Sequence, residues 1–299
     1  MISIVICSRN SQLDEYLASN IKRTIGRIDY EIILIDNSEN SYSIFSAYNI
    51  GFKKSKYPIV CFMHEDIEYR TQNWGQLVVN CFKNKDVGLS GIIGSKYISE
   101  IPCGWWLSKS RRGHIIEKRN NEDIREDFGA KKEEQVVTID GLWFCIRKNL
   151  YPTISFDTKT FKGFHCYDMD ISLQILKLKY QIQVIQDMEL YHKSQGSTND
   201  AFYFNCVLLY KKWRNSLPVS IDINDKEKTE NIRFVNSCIK GISKENYFNR
   251  YTKSLFFRSI YTIEMLTKIN MQSVYIWTYY KGFHLYVLLA NNKYLRICL

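Results

Sequence analysis

The strongest constraint on this chain is an alternation in its first 66 residues. Short apolar runs at Ile2–Cys7, Glu31–Ile35 and Ile59–Met63 are separated by amphipathic segments at Leu13–Ile25 and Ser43–Lys54. Strand, helix, strand, helix, strand is the signature of a parallel sheet flanked by helices. The runs are almost continuously hydrophobic, as strands covered on both faces must be. In open sheets of this kind ligands bind beyond the C-terminal strand ends. Polar residues gather at those ends: Ser8-Arg9-Asn10, Asp36-Asn37-Ser38 and His64-Glu65-Asp66.

Further along, Val87–Ile93, Val136–Arg147 and Gln181–Gln186 carry strand character, and Asp168–Lys179 and Tyr203–Trp213 carry helical spacing. Between them, Ser108–Glu134 has 8 basic and 7 acidic residues among 27 and little apolar periodicity, which predicts a solvated loop or mobile lid. Pro218 marks an expected boundary. The expected organisation is an α/β domain over residues 1–215 and a basic, aromatic-rich helical extension over 216–299, with Tyr251–Lys268 and Ser273–Ala290 as its helices.

Composition narrows the function classes. With 45% hydrophobic and 24% charged residues, the chain has enough apolar surface for a core and is not disordered. Nine cysteines with no C-x-x-C pair argue against a disulfide framework or a cysteine zinc site, so a reducing compartment is expected. Met1 runs straight into an apolar strand without a basic n-region, and no apolar run approaches the 18 residues of a spanning helix. A cytoplasmic location follows as the expectation. Of the net charge of +10, residues 201–299 supply +9, from 15 Lys/Arg against 6 Asp/Glu. A polyanion partner is therefore a question for the tail, where an anionic membrane surface, at the inner face of the plasma membrane, would serve. Packing of the tail on a second copy of the chain would serve as well. A nucleic-acid partner would explain the basic tail but not the acidic motifs at the strand ends.

No G-x-G-x-x-G or G-x-x-x-x-G-K-[ST] occurs, so a phosphorylated ligand would be held by a cation rather than by a glycine cradle. His64-Glu65-Asp66 follows a buried run, where a carboxylate can hold Mg²⁺ or Mn²⁺ against a diphosphate. A strand-end turn with Asp66 bonding local backbone is the alternative. Asp168 and Asp170 open a helix, where a carboxylate serves either as a cap or as a general base aimed into the cleft. Residues two apart diverge on a helix, so one of the pair is expected to face the cleft and the other to be structural. His192 follows a short strand and suits either a metal site or a hydrogen-bonded core. Trp105, Trp106 and Trp143 could stack on sugar rings or fill the core.

Taken in order, Ile2–Asn10, Ile32–Ser38, Ala47–Gly51, His64–Asp66, Ile139–Phe144, Phe164–Leu173 and Tyr191–Ser197 resemble the family 2 glycosyltransferases over roughly residues 1–215. The match is nearest to the bacterial branch with an H-x-D-like metal motif and a closing Lys211-Lys212-Trp213. The resemblance implies a GT-A fold and inverting transfer from a nucleotide-diphosphate sugar, a UDP-sugar being favoured, to a hydroxyl of a glycan or lipid-linked acceptor in cell-surface polysaccharide synthesis. By matching position, Ser8, Arg9, Asp36, Asn49, Gly51 and Glu65 would contact the donor. Asp66, with His64 and His192, would hold a divalent cation. Gly141 and Trp143 would face the acceptor, and Asp168 would be the base. The sequence departs from the family pattern where His64 replaces the first acid of D-x-D and Tyr167 the acid of an E-D pair. A binding protein with lapsed catalysis, or a nucleotidyltransferase, is the competing reading. The latter usually carries a glycine-rich phosphate loop after the first strand, which Cys7-Ser8-Arg9-Asn10 lacks.

Overall fold

The computed structural model describes residues 1–101, 103–194, 199–241, 275–280 and 283–288. The first half follows the alternation in the sequence: β1 (Ile2–Ser8), α1 (Glu15–Thr24), β2 (Tyr30–Asp36), α2 (Ile44–Lys54) and β3 (Ile59–Met63). Each helix begins where the sequence supplies a cap. Asp14 accepts from Leu17 N at 2.7 Å and Ser43 from Ser46 N at 3.3 Å, satisfying N–H groups that the helix leaves unpaired.

Past β3 the chain forms β4 (Ile67–Tyr69), α3 (Trp74–Cys81), β5 (Val87–Gly91), β6 (Ile93–Ser95), β7 (Tyr97–Ile98), β8 (Arg111–Arg119), β9 (Glu122–Asp127), β10 (Glu134–Val136), β11 (Thr138–Ile139) and β12 (Trp143–Arg147). It then adds α4 (Tyr167–Lys177), β13 (Gln181–Val184), β14 (Leu190–His192), α5 (Asp200–Trp213), β15 (Val219–Ser220) and α6 (Asp225–Gly241). Seven strands make the central sheet in the order β10-β13-β5-β12-β3-β1-β2. β1 pairs in parallel with β2 and β3, while β12 runs antiparallel between β3 and β5. A second sheet, β11-β6-β8-β14-β4, carries β9 on β8.

Both faces of the central sheet are covered. On one side Tyr48 and Phe52 of α2 meet Phe62, Phe144 and Phe156, with Phe62 and Phe144 stacked at 5.2 Å. Gly51 lets α2 approach β1: a Cβ there would lie 2.2 Å from Val5 Cγ1. On the other side Trp143 is fully buried, edge-on to Trp74, and donates its Nε1–H to Tyr69 Oη at 2.9 Å.

Three expectations are corrected here. Ser108–Glu134 is not a loop, because β8 and β9 form a hairpin closed by Asn120 and Asn121, both at positive φ. The mixed charges that hid it are cross-strand partners: Lys118 opposes Asp123, Arg119 opposes Glu122, and Arg119 also bonds Glu126 at 2.8 Å. The boundary expected after residue 215 falls inside a compact unit spanning Met1–Ser254. There β15 pairs with β7, and the buried side chain of Asn231 bonds Ser108, the Lys109 amide and Ser110. In the second unit, Leu255–Leu299, the helix expected over Ser273–Ala290 gives way to antiparallel strands β16 (Tyr275–Tyr280) and β17 (Phe283–Leu288). These twelve residues are mostly aromatic and β-branched, which favours strand over helix. Tyr251–Lys268 lies outside the described residues.

Candidate active site

The C-terminal ends of β1 and β3, the turn before β12 and the start of α4 open into one cavity of about 1100 Å³. The sheet order explains the convergence. β3 lies between β1 and β12, so His64-Glu65-Asp66 leaves the sheet beside both Ser8 and Asp140-Gly141. The His64 amide donates to Leu142 O at 3.0 Å and fixes that juxtaposition.

Asp168 is half-buried on the cavity wall. Its Oδ2 accepts from Gly141 N at 3.1 Å and its Oδ1 from Met169 N at 2.8 Å. Burial, reinforced by the neighbouring Asp140 charge, pushes its carboxyl up to about 7 despite those bonds. The ordinary aspartate value of about 3.9 therefore does not apply to it. A base poised near the working pH is better matched to removing a hydroxyl proton. Asp140 was not singled out from sequence. It accepts from Leu142 N at 2.8 Å and from Trp105 Nε1 at 2.9 Å, and burial raises its pKa too.

Asp170 points the other way. It is 1% exposed and accepts from Trp213 Nε1 at 2.7 Å, Gln174 Nε2 at 2.8 Å and Lys212 Nζ at 3.0 Å. It locks the end of α5, and this is what the Lys-Trp pair of the closing motif does.

His64, Asp66 and His192 offer ligand atoms that all lie within 4.8 Å of one another. His192 Nε2 is 3.4 Å from Asp66 Oδ2, and His64 Nδ1 is 4.0 Å from Asp66 Oδ1. Ser194 Oγ donates to Asp66 Oδ2 at 2.6 Å. Burial alone would raise Asp66, but hydrogen bonds from His192 and Ser194 hold it well below the usual carboxylate range. Burial lowers His64 to about 4, so its imidazole is neutral and can ligate. Burial works against His192 as well, yet Asp66 and Glu117 outweigh it and lift the ring to about 9. Its Nδ1 is buried without a hydrogen bond, 3.8 Å from Glu117 Oε1. Without a cation, a proton on His192 thus balances Asp66. Two imidazoles and a carboxylate suit a first-row transition ion such as Mn²⁺ better than Mg²⁺, which prefers oxygen.

The sequence-predicted residues divide. Ser8, Arg9, His64, Glu65, Asp66, Gly141, Asp168 and His192 all line the cavity. Glu65 is partly committed, accepting from Ser8 Oγ at 2.5 Å and from Arg9 N at 3.2 Å. Asp36, Asn49, Gly51 and Trp143 are not on its wall. Asp36 is exposed and accepts from Ser38 N at 3.0 Å. Asn49 pairs reciprocally with the Phe156 backbone at 2.7 and 2.9 Å. Gly51 provides the close approach to Val5, and Trp143 is core. Asn37, Ser38 and Tyr42 line the cavity beyond β2, and the stacking candidates Trp105 and Trp106 line it elsewhere with Phe164, Phe202 and Arg111. The sequence departures at His64 and Tyr167 are partners of each other, with His64 Nε2 2.8 Å from Tyr167 Oη.

A mixed sheet with β12 reversed, and a polar cleft at its C-terminal edge, define a GT-A nucleotide-diphospho-sugar transferase fold. A sequence model described as "Glycosyltransferase like family" matches residues 3–235, and the chain belongs to that family of glycosyltransferases. Among solved structures, Staphylococcus aureus TarS 1–349 in complex with UDP-GlcNAc is 10% identical, with a TM-score of 0.51, covering 90% of this chain and 81% of that one. GalNAc-T7 with UDP, GalNAc and Mn²⁺ is 15% identical, with a TM-score of 0.48, covering 82% of this chain; this chain spans 57% of the length of that one. No curated protein matches the chain in sequence.

Proposed function

We propose that this glycosyltransferase transfers a sugar with inversion from a UDP-sugar to an acceptor hydroxyl, in a single in-line displacement with Asp168 as the base. The observation that carries this reading is the meeting in one cavity of a carboxylate raised to about 7 and, near it, the His64–Asp66–His192 cluster. Inversion needs one base on the acceptor side and charge stabilisation on the leaving-group side. Ser8, Arg9, Asn37 and Ser38 would receive the nucleoside end of the donor. A divalent ion held by His64, Asp66 and His192, with Mn²⁺ favoured by the imidazoles, would supply charge stabilisation to the departing diphosphate. Asp168 takes the proton of the attacking hydroxyl, and the Gly141 amide bonded to Oδ2 orients the carboxylate for it.

The acceptor side is aromatic. Trp106 is half-exposed and stacked on Phe202 at 5.1 Å, and Phe164 is 46% exposed beside His64. Flat apolar rings of this kind match the C–H face of a pyranose, which favours a glycan acceptor. We further propose a lipid-linked glycan met at the inner face of the plasma membrane, reached through the basic C-terminal region. TarS, which shares the fold, was solved with UDP-GlcNAc, and that supports the choice of donor nucleotide.

Slow donor hydrolysis needs no acceptor, so a panel of nucleotide sugars with Mn²⁺ or EDTA tests the reading. UDP-sugar hydrolysis should appear with Mn²⁺ and fall in EDTA. Hydrolysis of no nucleotide sugar under either condition would overturn it.

A further inference from the structure

We propose that Tyr167 is a positioning residue that holds the His64 ring with its proton on Nε2, leaving the Nδ1 lone pair to bind the divalent cation. The inference deepens the metal reading given above and rests on it. The Tyr167 hydroxyl has one proton and two neighbours: Gly141 O at 3.0 Å and His64 Nε2 at 2.8 Å. A carbonyl can only accept, so the proton goes to Gly141 and the phenol oxygen must then accept from His64 Nε2–H. Reversing the chain, with Tyr167 donating to His64, would take that donor from the buried Gly141 carbonyl and leave a buried acceptor unpaired, which is costly. With Nε2 protonated, the lone pair belongs to Nδ1. That is the atom 4.0 Å from Asp66 Oδ1, on the side of the metal-binding cluster.

Two further observations show that the arrangement is built in. The Tyr167 ring is gripped edge-on by Tyr48 at 5.6 Å and Phe45 at 6.2 Å, so packing sets the position of its hydroxyl. Gly141 supplies the space: a Cβ there would lie 2.4 Å from Tyr167 Oη. The absence of a side chain at residue 141 thus lets the hydroxyl reach its carbonyl. Gly141 also donates its amide to Asp168 Oδ2, so one residue joins the metal ligand and the base through a continuous set of hydrogen bonds. Imidazoles that bind metals usually have such an outer partner to set tautomer and orientation, and losing it typically costs 10- to 100-fold in metal affinity.

The test is Tyr167→Phe, which keeps the ring and removes only the hydroxyl. Imidazole ¹⁵N shifts in metal-free protein should show His64 protonated on Nε2 in the wild type and mixed between Nδ1 and Nε2 in the variant. Mn²⁺ titration followed by electron paramagnetic resonance should show affinity falling about 10- to 100-fold, a loss that packing alone would not produce with an unchanged melting temperature. The wild-type tautomer needs no variant, so the proposal stays testable if Tyr167→Phe fails to fold. A wild-type His64 protonated on Nδ1, or a variant with an unchanged tautomer and Mn²⁺ affinity, overturns the proposal with the metal reading intact. If wild-type protein binds no Mn²⁺, the metal reading fails and takes the cation half of the proposal with it.

Discussion

At the scale of single residues the site is organised by where charge is tolerated. Asp168 sits between desolvation and the Asp140 charge, both of which favour its protonated form, and its ordinary backbone bonds do not offset them. If Asp168 is the base, turnover with saturating donor and acceptor should rise as pH increases through about 7 and level off above it, as the carboxylate becomes available. A flat profile between pH 6 and 8 would remove Asp168 from that role. The same shift acts on stability with a definite sign. The folded state binds the proton more tightly than the unfolded one, so stability falls as pH rises from about 4 to about 7 and then stays low. Asp168→Asn should therefore abolish transfer, with a loss of at least about 10²-fold, while raising the melting temperature more at pH 8 than at pH 4. Paired thermal melts at the two pH values check this. A base that costs its own fold stability is the usual sign that a residue is kept for chemistry.

At the scale of elements, α4 is the organiser, because its first turn sends successive carboxylates to different places. Asp168 faces the cavity and Asp170 the α5 lock formed with Lys212 and Trp213. Asp170→Asn breaks a buried charge pair and should destabilise the protein by about 3 kcal/mol in denaturant titration. Donor binding should stay near normal under conditions where the variant is folded; a large loss of donor affinity would place Asp170 in the site after all. Elements of this kind were legible in the sequence wherever one period dominated. β1, α1, β2, α2 and β3 emerged from apolar runs and helical spacing, and so did the head of α4. The β8–β9 ribbon did not, since its stabilising pairs are charges opposed across a hairpin and show no apolar alternation along one strand. Site residues divide on the same principle. Ser8, Asp66 and Asp168 follow from position at a strand or helix end. Asn49 and Gly51 lie on α2, and only the packing of that helix on Phe156 and Val5 shows that they sit off the cavity wall. Asp140 and Glu117 were hidden because their roles come from neighbours far away in sequence, Asp168 for one and His192 for the other.

At the scale of the whole molecule, charge and chemistry are separated along the chain. The cavity is built by residues before 203, while +9 of the net +10 lies in residues 201–299. A basic surplus of this kind can decide where an enzyme works, by drawing it to an anionic surface. Among the described residues no helix is long and apolar enough to cross a membrane. The β16–β17 pair contains no Lys, Arg, Asp or Glu at its twelve paired positions, and a lone two-stranded ribbon is marginal in water without a surface to cover it. An anionic bilayer offers both a surface for such a ribbon and headgroups for the Lys and Arg that flank it in sequence, each worth about 1 kcal/mol close to a membrane. Full-length protein should therefore float with phosphatidylglycerol vesicles at low salt but not with phosphatidylcholine vesicles. It should release as salt shortens the screening length from about 30 Å at 0.01 M to about 8 Å at 0.15 M. A chain ending at residue 254, the limit of the first compact unit, should keep donor hydrolysis and lose flotation. Full-length protein that ignores anionic vesicles at low salt would leave the ribbon to be covered by protein, a second copy included. The concentration dependence of its mass in solution would then be the measurement that follows.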